Sequence, residues 1–150
     1  MRRFVLDTNI LLFYVRGHSV YKKAEIQCQL TSPDAFLIVS AATKGELLPF
    51  AEQNNWGEKK MTLLEKTLDS FFQVDIISRD PQMMRAYADI DAYSQGKLTR
   101  LSSPFTSKNM GKNDLWIAAA AHVTGATLVT TDADFDHLDG VFIKLEKIPI

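Results

Sequence analysis

The pattern of apolar residues along the chain predicts strands and helices in alternation. Short, nearly continuous apolar runs are typical of strands that are buried on both faces. Segments with apolar residues at spacings of three and four lie between these runs and predict amphipathic helices. Such alternation predicts an α/β fold, in which helices cover both faces of a central, mainly parallel sheet. About five strands are expected, at residues 4–6, 36–39, 74–77, 127–130 and 141–145.

Capping residues predict where several helices begin and end. Ser40 is a suitable N-cap for a helix through Glu46, and Asp80 for a helix with Pro81 in its first turn. Pro49 is expected to bend or interrupt the first of these helices, because proline lacks an N–H group and its ring clashes with the preceding turn. The other boundaries are predicted at Thr8 or Asn9, from Ser19 to Leu30, at Gly57 and from Asp114 to Thr124, with Gly96 and Gly125 as helix ends.

The composition is that of a folded globular domain. The 150 residues are 46% hydrophobic and 23% charged, which fits one domain over residues 1–150. Cys28 is the only cysteine, which excludes an intrachain disulfide and a thiolate metal cluster. No apolar run approaches the length of a membrane span, and Asp7 interrupts the first run too early for a signal peptide. We therefore expect a cytoplasmic protein.

The net charge of −1 argues against a simple nucleic-acid-binding module, which needs an excess of lysine and arginine to hold phosphates. It argues less against a nuclease that depends on metal ions, because bound cations supply part of the positive field. The positions of the charged residues therefore carry more information than their sum.

Two of the predicted strands end in an aspartate, Asp7 and Asp132. In open α/β sheets, ligands bind beyond the carboxyl ends of the strands, so both carboxylates are expected near such a site. Asp114 stands at the start of a predicted helix, where unpaired N–H groups and the helix dipole favour a carboxylate. Each aspartate taken singly fits a cap or turn residue equally well.

Glu46 follows Ala42 and Thr43 on a helix row that continues to Phe50. Most members of this row are small or apolar, so the row is expected to face the sheet. A carboxylate there is costly to bury unless it is paired or bound to a metal. The alternative is a solvated glutamate on the helix surface.

The four acids Asp7, Glu46, Asp114 and Asp132 are candidates for one catalytic, metal-binding site. Carboxylate oxygens without a histidine motif favour Mg²⁺ or Mn²⁺ over zinc. The three histidines do not form a zinc motif, and His122 is expected to be packed or partly exposed. The chain also lacks a glycine-rich phosphate loop, a serine nucleophile elbow and the D-x-D-x-T start of a phosphatase.

Four stretches in order resemble the PIN-domain family, and more closely the VapC-type toxin ribonucleases. They are Val5–Leu11, Ser40–Glu46, Gly111–Ala121 and Leu128–Phe135, and together they span nearly the whole chain. The resemblance implies a compact α/β/α fold and an endoribonuclease that hydrolyses RNA with a water activated by one or two Mg²⁺ or Mn²⁺ ions. No protein nucleophile is needed for this reaction.

The resemblance also implies roles for individual residues. It makes Asp7, Glu46, Asp114 and Asp132 the metal ligands, although Asp134 matches a frequently acidic position and is an alternative to Asp132. It gives supporting roles to residues beside the first and last of these acids, namely Thr8, Asn9, Thr130 and Thr131.

The segment from residue 97 to 113 is expected to be irregular and carries only basic charges. Lys97, Arg100, Lys108 and Lys112 lie between Asp91 and Asp114, with no acidic residue among them. Because this loop leads into the predicted acidic site, its side chains are candidates for contacts with the RNA backbone. The alternative is a solvated loop.

A toxin of a type II toxin–antitoxin pair would bind a cognate antitoxin over the acidic pocket and would usually form a homodimer. Two alternatives stay open: a PIN nuclease of RNA processing without an antitoxin, and a catalytically inactive PIN-like module that binds RNA or protein. Five apolar residues could supply a partner surface, although ordinary core packing is the better explanation for most of them: Phe13, Tyr14, Leu63, Phe71 and Phe72. The sequence alone does not identify the RNA.

Overall fold

The computed structural model describes residues 1–74 and 80–150. Within them the chain forms a five-stranded sheet in which every pair of neighbouring strands is parallel. The predicted α/β fold is therefore confirmed. The strand order is β3-β2-β1-β4-β5, and the strands are β1 (Arg2–Leu6), β2 (Ala35–Ser40), β3 (Phe72–Val74), β4 (Thr127–Thr130) and β5 (Lys144–Lys147).

Helices flank this sheet on both faces. Successive residues of the central strand β1 point to opposite faces, so both faces carry apolar side chains that helices bury. Phe4 and Leu6 join the core that α1 to α4 cover, whereas Val5 joins the core under α5 and α6. Both cores are apolar, and Val5 and Leu6 are fully buried. The helices are α1 (Thr8–Val15), α2 (Ser19–Cys28), α3 (Ala41–Gln53), α4 (Glu58–Ser70), α5 (Pro81–Ser94) and α6 (Lys112–Thr124), and a 3₁₀ helix spans Ala133–Leu138.

The direction of the strand order reverses at β1. From β1 the chain adds β2 and then β3 on one side, and later adds β4 and β5 on the other. The crevice beyond the carboxyl ends of the strands at such a reversal is the usual ligand site of open α/β sheets. Asp7 follows β1 directly, so the fold places this residue in the crevice.

Most of the predicted helix ends are confirmed. Ser40, Gly57 and Asp80 are the N-caps of α3, α4 and α5, and Gly125 ends α6. The predicted interruption at Pro49 is wrong, because α3 continues through it to Gln53. Leu47 and Ala51 on either side of Pro49 are fully buried, so their packing offsets the hydrogen bond that proline cannot make.

Four other elements have boundaries that differ from the prediction. The fifth strand begins at Lys144 because Val141 and Phe142 turn back and donate to the carbonyl of Leu138. Helix α6 begins two residues before Asp114, and α2 ends at Cys28 because Gln29 has a left-handed conformation with a φ of 54°. The third strand was predicted at residues 74–77; the structure has β3 at Phe72–Val74, and residues 75–77 lie outside the described residues.

The five apolar residues considered for a partner surface divide into two groups. Phe13, Tyr14 and Phe71 pack against the core, as the packing interpretation predicts. Leu63 and Phe72 are 38% and 55% exposed. In the described ranges no helix is long and apolar enough to cross a membrane.

Candidate active site

Asp7 is a buried carboxylate at the end of the central strand. Its backbone N–H donates to the carbonyl of Val129 on β4, at 3.0 Å, which continues the sheet pairing to this residue. Its side chain is the N-cap of α1, with Oδ1 accepting a 2.7 Å hydrogen bond from the N–H of Thr8. Only 4% of the residue is exposed. Strand pairing and helix capping together fix this carboxylate in the crevice.

Thr130 connects Asp7 with the end of β4. Its Oγ1 donates to Asp7 Oδ2 at 2.6 Å and accepts from the N–H of Asp132 at 3.0 Å. Thr130 is fully buried. Thr130 therefore contacts both the first and the last acid, while the N–H of Thr8 also supports Asp7.

Glu46 reaches the same place from α3. Its Oε1 lies 3.1 Å from Thr8 Oγ1, and this hydroxyl is also 3.3 Å from Thr43 Oγ1. Since a hydroxyl has one proton, Thr8 can donate to the Glu46 carboxylate while it accepts from Thr43. Glu46 thus faces the sheet side, as the helix row predicts. Thr43 was not predicted as a site residue, although it is fully buried and belongs to that row.

Asp114 stands in the first turn of α6 and is partly buried. Burial raises its pKa to about 7, and the negative charges of Asp7, Glu46, Asp132 and Asp134 act in the same direction. Burial also raises the pKa of Asp7 to about 6, against the opposing effect of its hydrogen bonds from Thr130 and Thr8. The carboxylates at the four predicted positions are thus close enough to repel one another.

The two aspartates that compete for the fourth position are placed differently. Asp132 is partly buried and caps the 3₁₀ helix, with Oδ1 accepting from the N–H of Asp134 at 2.9 Å. Asp134 is exposed. The charge of Asp132 contributes to the raised pKa of both Asp7 and Asp114, whereas Asp134 contributes to that of Asp114. This arrangement favours Asp132 as the residue directed toward the centre of the cluster.

The donor set fits a hard divalent cation. The cluster offers carboxylate oxygens, which Mg²⁺ and Mn²⁺ prefer, and a cation would offset both the burial and the repulsion that raise the pKa values of Asp7 and Asp114. Asn9 adds an amide oxygen that is buried and has no hydrogen-bond partner among the described residues. No three His, Cys, Asp or Glu side chains of residues 1–74 and 80–150 are already arranged to enclose an ion. Binding would therefore require these side chains to rearrange.

The histidines of the described structure are engaged elsewhere. His18 caps α2 through the N–H of Val20. His122 Nδ1 lies 2.7 Å from the carbonyl of Phe142. His137 Nε2 lies 2.7 Å from Ser94 Oγ, and burial lowers the pKa of this imidazole. These positions agree with an oxygen-ligand site rather than a zinc site.

The predicted RNA-binding residues are all exposed, but they differ in their surroundings. Arg100 forms a 2.6 Å ion pair with Asp89 of α5. Lys108 is held through its backbone N–H, which donates to the carbonyl of Ser94 at 2.7 Å. Lys97 follows the end of α5, and Lys112 is the first residue of α6, two residues before Asp114. Lys112 is therefore close to Asp114 because both residues belong to the first turn of α6.

Several known structures share this fold. The chain is similar to VapBC2 from Rickettsia felis bound to a DNA fragment from their promoter, with 20% identity, a TM-score of 0.75 and coverage of 97% of this chain and 98% of that chain. It is also similar to DNA-bound VapBC from Salmonella typhimurium, with 23% identity, a TM-score of 0.68 and 98% of each chain covered.

VapBC-1 from nontypeable Haemophilus influenzae is another similar structure, with 24% identity, a TM-score of 0.68 and 97% of each chain covered. No curated protein matches the sequence significantly. The family model for the PIN domain matches residues 4–141, a range that contains all of the candidate acids. The chain belongs to the PIN-domain family.

Proposed function

We propose that this protein is a metal-dependent endoribonuclease that hydrolyses RNA phosphodiester bonds. The observation that carries the proposal is the convergence of Asp7, Glu46, Asp114 and Asp132 at the carboxyl ends of the central strands, with raised pKa values for two of them. Such a concentration of buried and partly buried carboxylates is unfavourable for folding alone and is typical of a functional site. Membership of the PIN-domain family supports the same activity.

Asp7, Glu46, Asp114 and Asp132 would hold one or two Mg²⁺ or Mn²⁺ ions, with Asp134 as the alternative fourth ligand. A metal held there would supply a water of lowered pKa and would stabilise negative charge on a phosphate oxygen. Thr8 keeps the Glu46 carboxylate in place, and Thr130 fixes the orientation of Asp7. Lys97, Arg100, Lys108 and Lys112 are proposed to contact the RNA backbone beside these acids.

We further propose that the protein is the toxin of a type II toxin–antitoxin pair. The likeness over nearly the full chain to proteins of VapBC complexes supports a cognate antitoxin as partner. The antitoxin would cover the acidic pocket, and the toxin would form a homodimer. A small open reading frame that overlaps or directly precedes the gene would support this pairing, whereas its absence would favour a nuclease of RNA processing.

An RNA-cleavage assay tests the enzymatic proposal. We expect cleavage with Mg²⁺ or Mn²⁺ and none with EDTA. Asp7→Asn is expected to reduce the rate at least about 100-fold, because changes even to residues behind a metal ligand cost 10- to 100-fold. Asp136→Asn is the matched control, since Asp136 is exposed, is paired with Lys147 and lies in the 3₁₀ helix that Asp132 caps. Cleavage that survives both EDTA and Asp7→Asn would contradict the proposal, and RNA binding without cleavage would favour the inactive module.

The same assay separates the two candidates for the fourth ligand. We expect Asp132→Asn to reduce cleavage more than Asp134→Asn, since Asp132 is the more buried of the two and acts on both Asp7 and Asp114. A thermal shift on addition of Mn²⁺ gives a second readout that does not depend on finding the right RNA. A larger loss of both signals in Asp134→Asn would reverse the assignment.

A further inference from the structure

Two positively charged side chains lie over two aromatic rings at some distance from the acidic site. Arg16 Cζ lies 5.2 Å from the ring centre of Phe50, and Lys60 Nζ lies 5.8 Å from that of Trp56. The two rings meet edge to face, with centroids 6.0 Å apart and an interplanar angle of 85°. These four residues come from the end of α1, from α3, from the α3–α4 connection and from the start of α4. We call them the cation–aromatic cluster.

The charges of the cation–aromatic cluster are not neutralised within the described structure. Neither Arg16 nor Lys60 forms an ion pair with a carboxylate of residues 1–74 or 80–150. Both side chains are exposed, and both rings are partly exposed. An apolar partner would have to remove water from two unpaired cations, which is unfavourable. A polyanion with flat apolar groups would satisfy both the cations and the rings.

The cluster lies on a path that starts at the acidic site. The Thr8 hydroxyl of α1 meets Glu46 of α3 at 3.1 Å, and further along the same two helices Arg16 meets Phe50. Phe50 follows Glu46 by one helical turn, about 6 Å along α3, and Arg16 follows Thr8 by two turns, about 12 Å along α1. The seam between α1 and α3 therefore leads from the acids to the cluster.

We propose that the cation–aromatic cluster binds single-stranded RNA next to the scissile phosphate. Arg16 and Lys60 hold phosphates, while Phe50, Trp56 and the planar guanidinium of Arg16 provide surfaces on which bases stack. Contacts of this kind tolerate many base sequences, so the cluster acts as a site for the strand rather than for one particular base. This inference rests on the proposed ribonuclease function and adds a substrate site to it.

The fluorescence of Trp56 can report RNA binding to the cluster. The chain has two tryptophans, and Trp116 stacks on Tyr87 at 4.2 Å, away from the cluster. In an Asp7→Asn, Trp116→Phe protein Trp56 is the only tryptophan, so selective excitation of tryptophan reports on the cluster alone, and added RNA is not expected to be hydrolysed. Titration with a mixed-sequence single-stranded RNA of about 12 nucleotides, a length within the range of known single-strand sites, is expected to quench this fluorescence. The same RNA as a duplex is expected to quench it much less.

Substitutions then test the affinity. In the Asp7→Asn background, with an RNA end-labelled for anisotropy, Trp56→Leu is expected to weaken binding roughly 5- to 100-fold, the range for loss of one stacked base. Arg16→Gln with Lys60→Gln is expected to reduce the slope of log affinity against log salt by about 0.7 per lost phosphate contact. Lys22→Gln with Lys66→Gln removes the same charge from exposed positions of α2 and α4 and serves as control.

The outcomes distinguish this inference from the proposed function. Suppose that the protein with Asp7 cleaves RNA and Asp7→Asn does not. The cluster proposal is overturned if the cluster variants bind and cleave RNA as well as the protein without those substitutions. It is also overturned if the Lys22→Gln, Lys66→Gln control loses as much affinity as the cluster variants. In either case the proposed nuclease activity is unaffected. A protein partner would then be the remaining class of ligand for these rings. Unchanged melting temperatures in the variants exclude unfolding as the cause of a loss.

Discussion

At the scale of single residues, burial and hydrogen bonding act against each other at Asp7. Two hydrogen bonds, of 2.7 Å and 2.6 Å, favour the charged carboxylate, yet burial and the neighbouring acids raise its pKa to about 6. Burial therefore has the larger effect. At neutral pH a bound cation stabilises a buried carboxylate more than a solvated one, because the cation replaces the water that the carboxylate loses on burial.

The metal-free protein is expected to lose stability as the pH rises. The pKa of Asp7 is about 6 and that of Asp114 about 7 in the folded state, both above the usual value near 4. The folded state thus binds these protons more tightly than the unfolded state. The stabilisation is complete below about pH 4 and is lost as the pH rises through 6 and 7. Asp7 alone accounts for about 3 kcal/mol.

Urea denaturation in EDTA between about pH 5 and pH 8 measures this slope of the free energy of unfolding. Asp7→Asn is expected to flatten the slope, whereas Asp69→Asn, at an exposed position of α4, is expected to leave it unchanged. Added Mn²⁺ should restore stability most strongly at the upper end of the range. A free energy of unfolding that rises with pH in EDTA would contradict the argument.

At the scale of secondary-structure elements, the residues that start the helices also build the site. Asp7 caps α1, Ser40 caps α3, which carries Glu46, and Asp132 caps the 3₁₀ helix. Each cap lies at the last residue of a parallel strand or within two residues after it, so the helix starts cluster at one edge of the sheet. The unpaired N–H groups at these starts favour carboxylates and partly offset their mutual repulsion.

Two glycines in helical settings are expected to respond oppositely to the same substitution. Gly125 ends α6 with a φ of 65°, so Gly125→Ala should cost about 1 kcal/mol of the free energy of unfolding. Gly45 lies within α3, and a Cβ there meets nothing within 4 Å. Gly45→Ala should therefore stabilise the protein by about 0.5–1 kcal/mol. Urea denaturation of the two variants checks both signs, and a stabilising Gly125→Ala would show that this helix end does not need its left-handed residue.

At the scale of the whole molecule, contacts from two distant elements hold the long connection between α5 and α6. Phe105 packs edge to face on Tyr93 at 5.3 Å and on His137 at 5.0 Å. The hydroxyl of Ser94 lies 2.7 Å from His137 Nε2 and 3.3 Å from the sulfur of Met110. The connection is thereby tied to α5 and to the 3₁₀ helix that follows Asp132. The start of α6, with Asp114, is positioned by the same contacts.

Phe105→Ala is expected to open this connection. It removes two aromatic contacts worth about 0.5–1.5 kcal/mol each, so the open population should rise about tenfold. Cleavage of the native protein by trypsin after Lys97, Arg100 and Lys108 should accelerate by a similar factor, because proteolysis follows the open population. Mass spectrometry of the fragments measures the rate. Phe72→Ala is the control, since Phe72 is 55% exposed on an edge strand; equal rates in both variants would refute the bracing role of Phe105.

Local patterns account for much of this fold and of its candidate site. Apolar runs predicted the alternating strands and helices, and Ser40, Asp80 and Gly125 predicted helix ends, because these signals act within one or two turns of the backbone. The Pro49 prediction failed because the burial of Leu47 and Ala51 outweighs a local preference. The fifth strand was misplaced because the turn after Leu138 depends on hydrogen bonds that the apolar pattern does not report.

The sequence by itself determined the class of fold and the positions of Asp7 and Asp132 after apolar runs that form strands, since these follow from the periodicity of apolar residues. Only the tertiary structure decided that Thr130 holds Asp7 together with the neighbouring Thr8 N–H, that Thr43 supports Glu46 through Thr8, and that Arg16 lies on Phe50. Apart from that of the Thr8 N–H, these contacts join residues 34 to 123 positions apart, and their partners are chosen by the strand order and by helix packing. No local pattern contains that information, because residues so far apart in the sequence come into contact only in the tertiary fold.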